Sequence, residues 1–199
     1  MKLVVGLGNP GRRYEATRHN VGFRVAAAVA AQTSISAARS RFEGDFQEAR
    51  VDDHRFAVLC PATFMNASGR SVRQAVDFYR LEPAQVLVVC DDFALPVAKL
   101  RIRAKGSAGG QKGLADILRV LGTEAVPRCR VGIGTPPGVM DPADYVLGKF
   151  TREELPAIEL AVERAAEAAL NWVRFGLDYC MARYNAGNGT PPAGRSAEG

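Results

Sequence analysis

Apolar and polar positions alternate along this chain with two different periods, and the switches between them mark out a regular succession of strands and helices. Leu3-Val4-Val5 is a short β-branched apolar run that breaks at Gly6 and Gly8, the pattern of a buried strand. Val21, Val25 and Val29 then recur four apart through an alanine-rich segment, which predicts a helix from about Arg18 to Gln32. Residues 42–60 alternate about Asp52-Asp53, with Phe46, Phe56, Val58 and Leu59 as apolar members, as two antiparallel strands would. His54 lies beside that turn and is expected to be exposed. Helical spacing returns at Val72, Val76 and Tyr79, within a helix from about Asn66 to Arg80 that Asn66 or Ser68 would cap.

Val86 to Cys90, VLVVC, is the most strand-like run of all, uniformly apolar as in a central strand covered on both faces, and it stops at Asp91-Asp92. Lys99 to Ala104 alternates basic and apolar residues, predicting a strand with one wet, cationic face. A glycine-rich basic loop from Lys105 to Gly113 leads into a helix near Leu114–Leu121, and Arg128 to Ile133 is a further strand. A long helix follows from Thr151, with Ile158, Val162, Ala165, Ala169 and Val173 on one face and a Thr151/Glu154 capping box. A short helix spans about Leu177 to Tyr184, and the Gly- and Pro-containing residues from Ala186 are expected to form a disordered tail. Strands alternating with helices predict one α/β domain over residues 1–185, a mixed, mostly parallel twisted sheet with helices on both faces.

Composition narrows the function classes. With 199 residues, 47% hydrophobic and 24% charged, the chain suits a single globular core. It starts directly on a strand without a secretory signal pattern, and no apolar run approaches the roughly 20 residues that span a bilayer, so a cytoplasmic location without membrane partners is the expectation. Cys60, Cys90, Cys129 and Cys180 are widely spaced, and only two histidines are present, which is neither a zinc signature nor a disulfide framework. The cysteines are expected to be reduced and buried, and no metal or cofactor is expected. Residues 1–41 hold seven Lys/Arg against one acid and residues 99–130 hold eight against two, so a net charge of +5 conceals two strongly basic stretches. Such clustering predicts a basic face for a polyanion if the stretches meet in space.

The candidate chemistry falls at strand ends. Gly6-Leu7-Gly8-Asn9-Pro10-Gly11 satisfies the dinucleotide-binding spacing, yet Pro10-Gly11 reads as a turn and no Asp or Glu occurs between Glu15 and Glu43 to meet a ribose. An NADP-type reading would have to use Arg39 or Arg41 for the 2′-phosphate. The 105–113 loop does not fit a P-loop in any register, although a glycine loop opening a helix can hold phosphate. Asn9, Asn66, Asp91 and the glycine loop each follow a predicted strand, where ligands gather in parallel sheets. There is no G-x-S-x-G elbow, and the side chains of Asp91 and Asp92 would point to opposite faces. One histidine, one strand-end carboxylate and carboxamides suit water activation: His19 as general base, Asp91 holding its imidazole, and Asn9 or Asn66 positioning a carbonyl. Phe64 and Met65 are by default core residues, or walls of an apolar subsite.

GLGNPGRRYEATRHNVGF at 6–23, PATFMNASGRSV at 61–72, VVCDDFALP at 88–96, GSAGGQKGL at 106–114 and RVGIG at 130–134 together resemble the bacterial peptidyl-tRNA hydrolases. The resemblance implies a monomeric α/β enzyme that cleaves the ester between a peptide and the 3′ end of tRNA, without metal, cofactor or protein partner. It implies His19 as catalytic base, Asp91 as its partner and Asn9 as the group requiring a blocked amine. Tyr14, Phe64, Met65 and Asn66 would bind substrate, and Arg101, Arg103 and Arg130 would meet tRNA phosphates. The chain departs from the family pattern GGHNG at Gln111 and Lys112, both read as part of the substrate-binding wall, and at Ala94, where a second acid is common. That departure keeps a second reading open, a non-catalytic RNA-binding protein on the same fold.

Overall fold

The structure is a computed structural model and describes residues 1–186. Its strands are β1 (Lys2–Gly6), β2 (Ser34–Ile35), β3 (Arg39–Arg41), β4 (Gly44–Val51), β5 (His54–Pro61), β6 (Val86–Asp92), β7 (Leu100–Arg103) and β8 (Arg128–Gly132). Its α-helices are α1 (Val21–Ala31), α2 (Ser68–Tyr79), α3 (Lys112–Leu121), α4 (Pro142–Leu147), α5 (Leu155–Phe175) and α6 (Leu177–Asn185). The strands form one eight-stranded sheet in the order β2-β4-β5-β1-β6-β8-β7, with β3 also paired to β4. The four central strands β5, β1, β6 and β8 are parallel, while β4 and β7 run antiparallel at the flanks. The expected mixed sheet is therefore parallel at its centre, where both faces are covered.

One face packs Val4, Phe56, Leu87, Val89 and Val131 against α1, α5 and α6, and the other packs Leu3, Val5, Leu59 and Val88 against α2 and α3. Period-two alternation along β1 and β6 thus feeds two separate apolar clusters. The expected strands at 42–60, 86–90, 99–104 and 128–133 are all present, and His54 is exposed. The short strands β2 and β3 were not foreseen, because neither carries an apolar alternation. They exist by pairing to β4. At the opposite edge, Asn185 from α6 caps β7 by accepting from Ile102 N–H at 2.7 Å and donating to Ile102 C=O at 2.9 Å, which blunts an otherwise open edge.

Two helix starts separate sequence signals that worked from one that did not. Thr151 N–H donates to Glu154 at 2.7 Å and Glu154 N–H to Thr151 Oγ1 at 3.3 Å, the two bonds of the expected capping box, although they close a turn ahead of α5, which starts at Leu155 and not at Thr151. At α2 neither Asn66 nor Ser68 caps the helix. A 3-10 turn at Met65–Ala67 precedes it, Ser68 Oγ donates back to Met65 C=O, and the free Gly69 N–H is taken by Asp116 Oδ2 of α3 at 2.7 Å. All four cysteines are free thiols, and burial pushes Cys60 and Cys129 up to about 12, so they stay protonated at neutral pH. The tail expected after Ala186 lies outside the described residues, and no helix among those described is long and apolar enough to cross a membrane.

Helix α1 lies unusually close to the sheet. A Cβ on Gly22 would sit 2.5 Å from Leu7 N, Leu7 O and Val89 O, all backbone atoms that cannot step aside. Intrinsic propensity alone would make Gly22→Ala stabilising by about 1 kcal/mol. Overpacking against fixed backbone outweighs that, and the variant is expected to lose about 1–3 kcal/mol, read from the urea midpoint.

Candidate active site

The carboxyl ends of β1, β5 and β6 deliver their loops to one cleft of about 600 Å³. His19 sits in a 3-10 turn, Arg18–Asn20, between the loop after β1 and the first turn of α1. Its Nδ1 lies 2.9 Å from both carboxylate oxygens of Asp91 at the end of β6. The two side chains are buried, with His19 7% and Asp91 2% exposed, yet both line the cleft. An ionised Asp91 makes Nδ1 the protonated nitrogen, which leaves the lone pair on Nε2.

Backbone around the pair is tied down by side chains. Asn20 Oδ1 accepts from Asn9 N–H at 2.8 Å while its Nδ2 donates to Asn9 C=O at 2.9 Å, so the loop after β1 is locked to the turn that carries His19. Asn9 Oδ1 in turn accepts from Met65 N–H at 2.9 Å, so its Nδ2 is the end left to donate. Arg18 is buried beside His19, where it forms a bidentate pair with Glu154 at 3.0 and 2.7 Å and donates to Ile133 C=O at 3.1 Å. Its guanidinium also lies over Tyr145 and Phe150, 4.5 and 4.8 Å from the ring centres. Burial would raise the Glu154 carboxyl, but the bonds from Arg18 and Thr151 hold it below the usual range. This contribution to stability is present at neutral pH and disappears as the pH falls through the lowered value.

A sequence model described as peptidyl-tRNA hydrolase matches residues 3–192. The chain belongs to the peptidyl-tRNA hydrolase family. A relative so named from Rhodopirellula baltica is 52% identical over 190 residues, covering 96% of this chain and 100% of its own length. One from Syntrophomonas wolfei is 43% identical, covering 93% and 100%. A crystal structure of peptidyl-tRNA hydrolase from Acinetobacter baumannii superposes with a TM-score of 0.88 at 32% identity, covering 94% of this chain and 95% of that one.

Against the peptidyl-tRNA hydrolase expectations, Asn9, Tyr14, His19, Phe64, Met65, Asn66, Asp91, Gln111 and Lys112 all border the cleft. Phe64, 56% exposed, Tyr14 and Asn66 present open walls, whereas Met65 is floor, its N–H on Asn9 and its sulfur 3.2 Å from Gln111 Nε2. Lys112 is exposed at the first position of α3. Gln111 is buried, with its polar atoms turned to neighbours within the protein.

Arg101 and Arg103 project from the exposed face of the edge strand β7, away from the cleft lining. Arg130 differs from its expected place as an open cation. It is buried, paired with Asp92 at 3.0 Å, and donates to Ser107 C=O at 2.8 Å beneath the glycine loop. Arg128 does the same for Gly106 C=O at 2.6 Å. The two basic stretches meet only in part: Arg13 and Lys112 border the same cleft, whereas Arg18, Arg128 and Arg130 are buried, and Arg39 and Arg41 lie on β3, three strands beyond β1. That placement also removes the NADP reading. Gly6 and Gly8 are explained by packing, since a Cβ there would meet Gly22 O at 2.5 Å and the Phe23 ring at 2.7 Å.

Sequence reasoning missed Asn20, Arg18 and the Asp141–Leu147 wall contributed by α4 and its N-cap. No spacing rule marks them; only the double hydrogen bond and the buried ion pair do. Asn20→Ala removes both bonds to Asn9 and leaves a buried backbone pair unsatisfied. It is expected to lose about 2 kcal/mol in denaturant titration and to lower turnover with it.

Proposed function

We propose that this chain hydrolyses the ester joining a peptide to the 3′ end of tRNA, with His19 as the general base. The reading rests on one observation: the only buried histidine among the described residues borders the cleft with its Nδ1 held by Asp91 at 2.9 Å. Nε2 takes a proton from water as the water oxygen attacks the ester carbonyl, and Asp91 stabilises the positive ring that results. When the carbonyl–oxygen bond breaks, the ring returns that proton to the departing ribose oxygen. The products are a peptide carboxylic acid and tRNA with a free hydroxyl.

Asn9 would donate from Nδ2 to the peptidyl group, giving preference to a blocked amine. Tyr14, Phe64 and Asn66 would wall the ester. Lys112, Arg101 and Arg103 are exposed cations suited to tRNA phosphates, while Arg130 shapes the loop that leads to the first of them. The protein is read as a monomer acting in the cytoplasm.

The test compares N-acetylated with unblocked aminoacyl-tRNA, in the presence of a chelator. Wild type is expected to cleave the blocked substrate selectively, and His19→Ala to lower kcat by about 10²–10⁴. Salt-sensitive tRNA binding without cleavage by wild type would favour a binding protein, and unimpaired cleavage by His19→Ala would remove the histidine from the mechanism.

A further inference from the structure

The geometry points to Gln111 as a positioning residue that fixes the Asp91 carboxylate beneath His19, instead of a side chain that touches substrate. The inference rests on the reading of His19 and Asp91 as the working pair. Gln111 is 5% exposed and stands at the N-cap of α3. Its Oε1 accepts from Leu114 N–H at 2.6 Å, so Nε2 must be the opposite end, and Nε2 lies 3.1 Å from Asp91 Oδ1. Flipping the amide would aim a carbonyl at the carboxylate and an NH₂ group at the Leu114 N–H, two repulsions in place of two bonds. The cap therefore decides which end meets Asp91.

The carboxylate needs such a partner. The final torsion of an aspartate is broad, and His19 Nδ1, at 2.9 Å from both oxygens, does little to choose between them. The amide of Gln111 singles out Oδ1 and anchors it to the first turn of a ten-residue helix. Its other close neighbour is the Met65 sulfur at 3.2 Å, and Met65 is also the residue whose N–H holds Asn9. One neutral side chain thus links α3, the Asp91–His19 pair and the turn that orients Asn9. Because it does not titrate, its donor remains available over the whole pH range in which His19 acts.

The decisive variant is Gln111→Glu. It keeps the shape and the acceptor that caps α3, while replacing the donor with an oxygen that faces Asp91. A residue that only caps the helix would leave turnover unchanged in Gln111→Met, which brings no charge to Asp91. A positioning residue predicts kcat for N-acetylated aminoacyl-tRNA lowered roughly tenfold or more at pH 7.5, with KM within about twofold, and Gln111→Glu also melts earlier because two buried carboxylates then face each other. Gln111→Met, with neither donor nor acceptor, is expected to lower kcat similarly and to melt earlier, and it carries the test if the glutamate variant fails to fold. Wild-type kcat in both variants would overturn the assignment. A rise in KM alone would return Gln111 to the substrate wall. His19→Ala and Asp91→Asn, measured alongside, separate the two levels: activity retained in those variants removes the underlying pair, whatever Gln111 does.

Discussion

The close seating of α1 on β1 and β6 is the constraint on which the rest of this site depends. Gly22 leaves no room for a side chain between the helix and the backbones of Leu7 and Val89, and that proximity sets the turn before α1 directly above the end of β6. His19 and Asp91, far apart in sequence, meet at 2.9 Å because the backbones carrying them are already in contact. Interiors packed at this density do not deform by small amounts, so the separation of the pair is a property of the fold more than of the two side chains.

Around that contact the protein spends buried polar groups on orientation. Arg18 with Glu154, Arg130 with Asp92, and Arg128 with backbone carbonyls are ionic or charge-assisted arrangements in places where desolvation cancels much of the attraction. Their evident result is geometric. Arg18 fixes the turn that bears His19 against α5, and Arg130 and Arg128 hold the carbonyls of the glycine loop, whose Gly106, Gly109 and Gly110 all have positive φ. Asn20 and Asn9 do the same with neutral carboxamides.

Much of the architecture was legible in the sequence because periodicity reports burial. VLVVC declared a strand covered on both faces, and the Lys99–Ala104 alternation declared a strand with one wet, cationic face. The strands β2 and β3 were illegible because they owe their conformation to hydrogen bonds from β4 and carry no pattern of their own. The nine cleft residues were found largely through motif resemblance, since a polar residue after a strand is weak evidence by itself. Charge was the least transferable signal. A run of arginines in sequence does not say which ones will face water, and Arg18, Arg128 and Arg130 turn inward. Gln111 shows the same limit, because its amide is engaged on both ends by partners that only the fold brings to it.

The account turns on the free nitrogen of His19, and nitrogen-15 NMR of the imidazole rings addresses it directly. Only two histidines exist, and His54 is exposed, so the His19 signals can be assigned with a His54→Gln variant. At a pH where the ring is neutral, the prediction is a single tautomer with the proton on Nδ1, shared with Asp91, and an unprotonated Nε2. A ring protonated on Nε2 instead could not accept a proton from water there, and that result would contradict the general-base role at the centre of the mechanism.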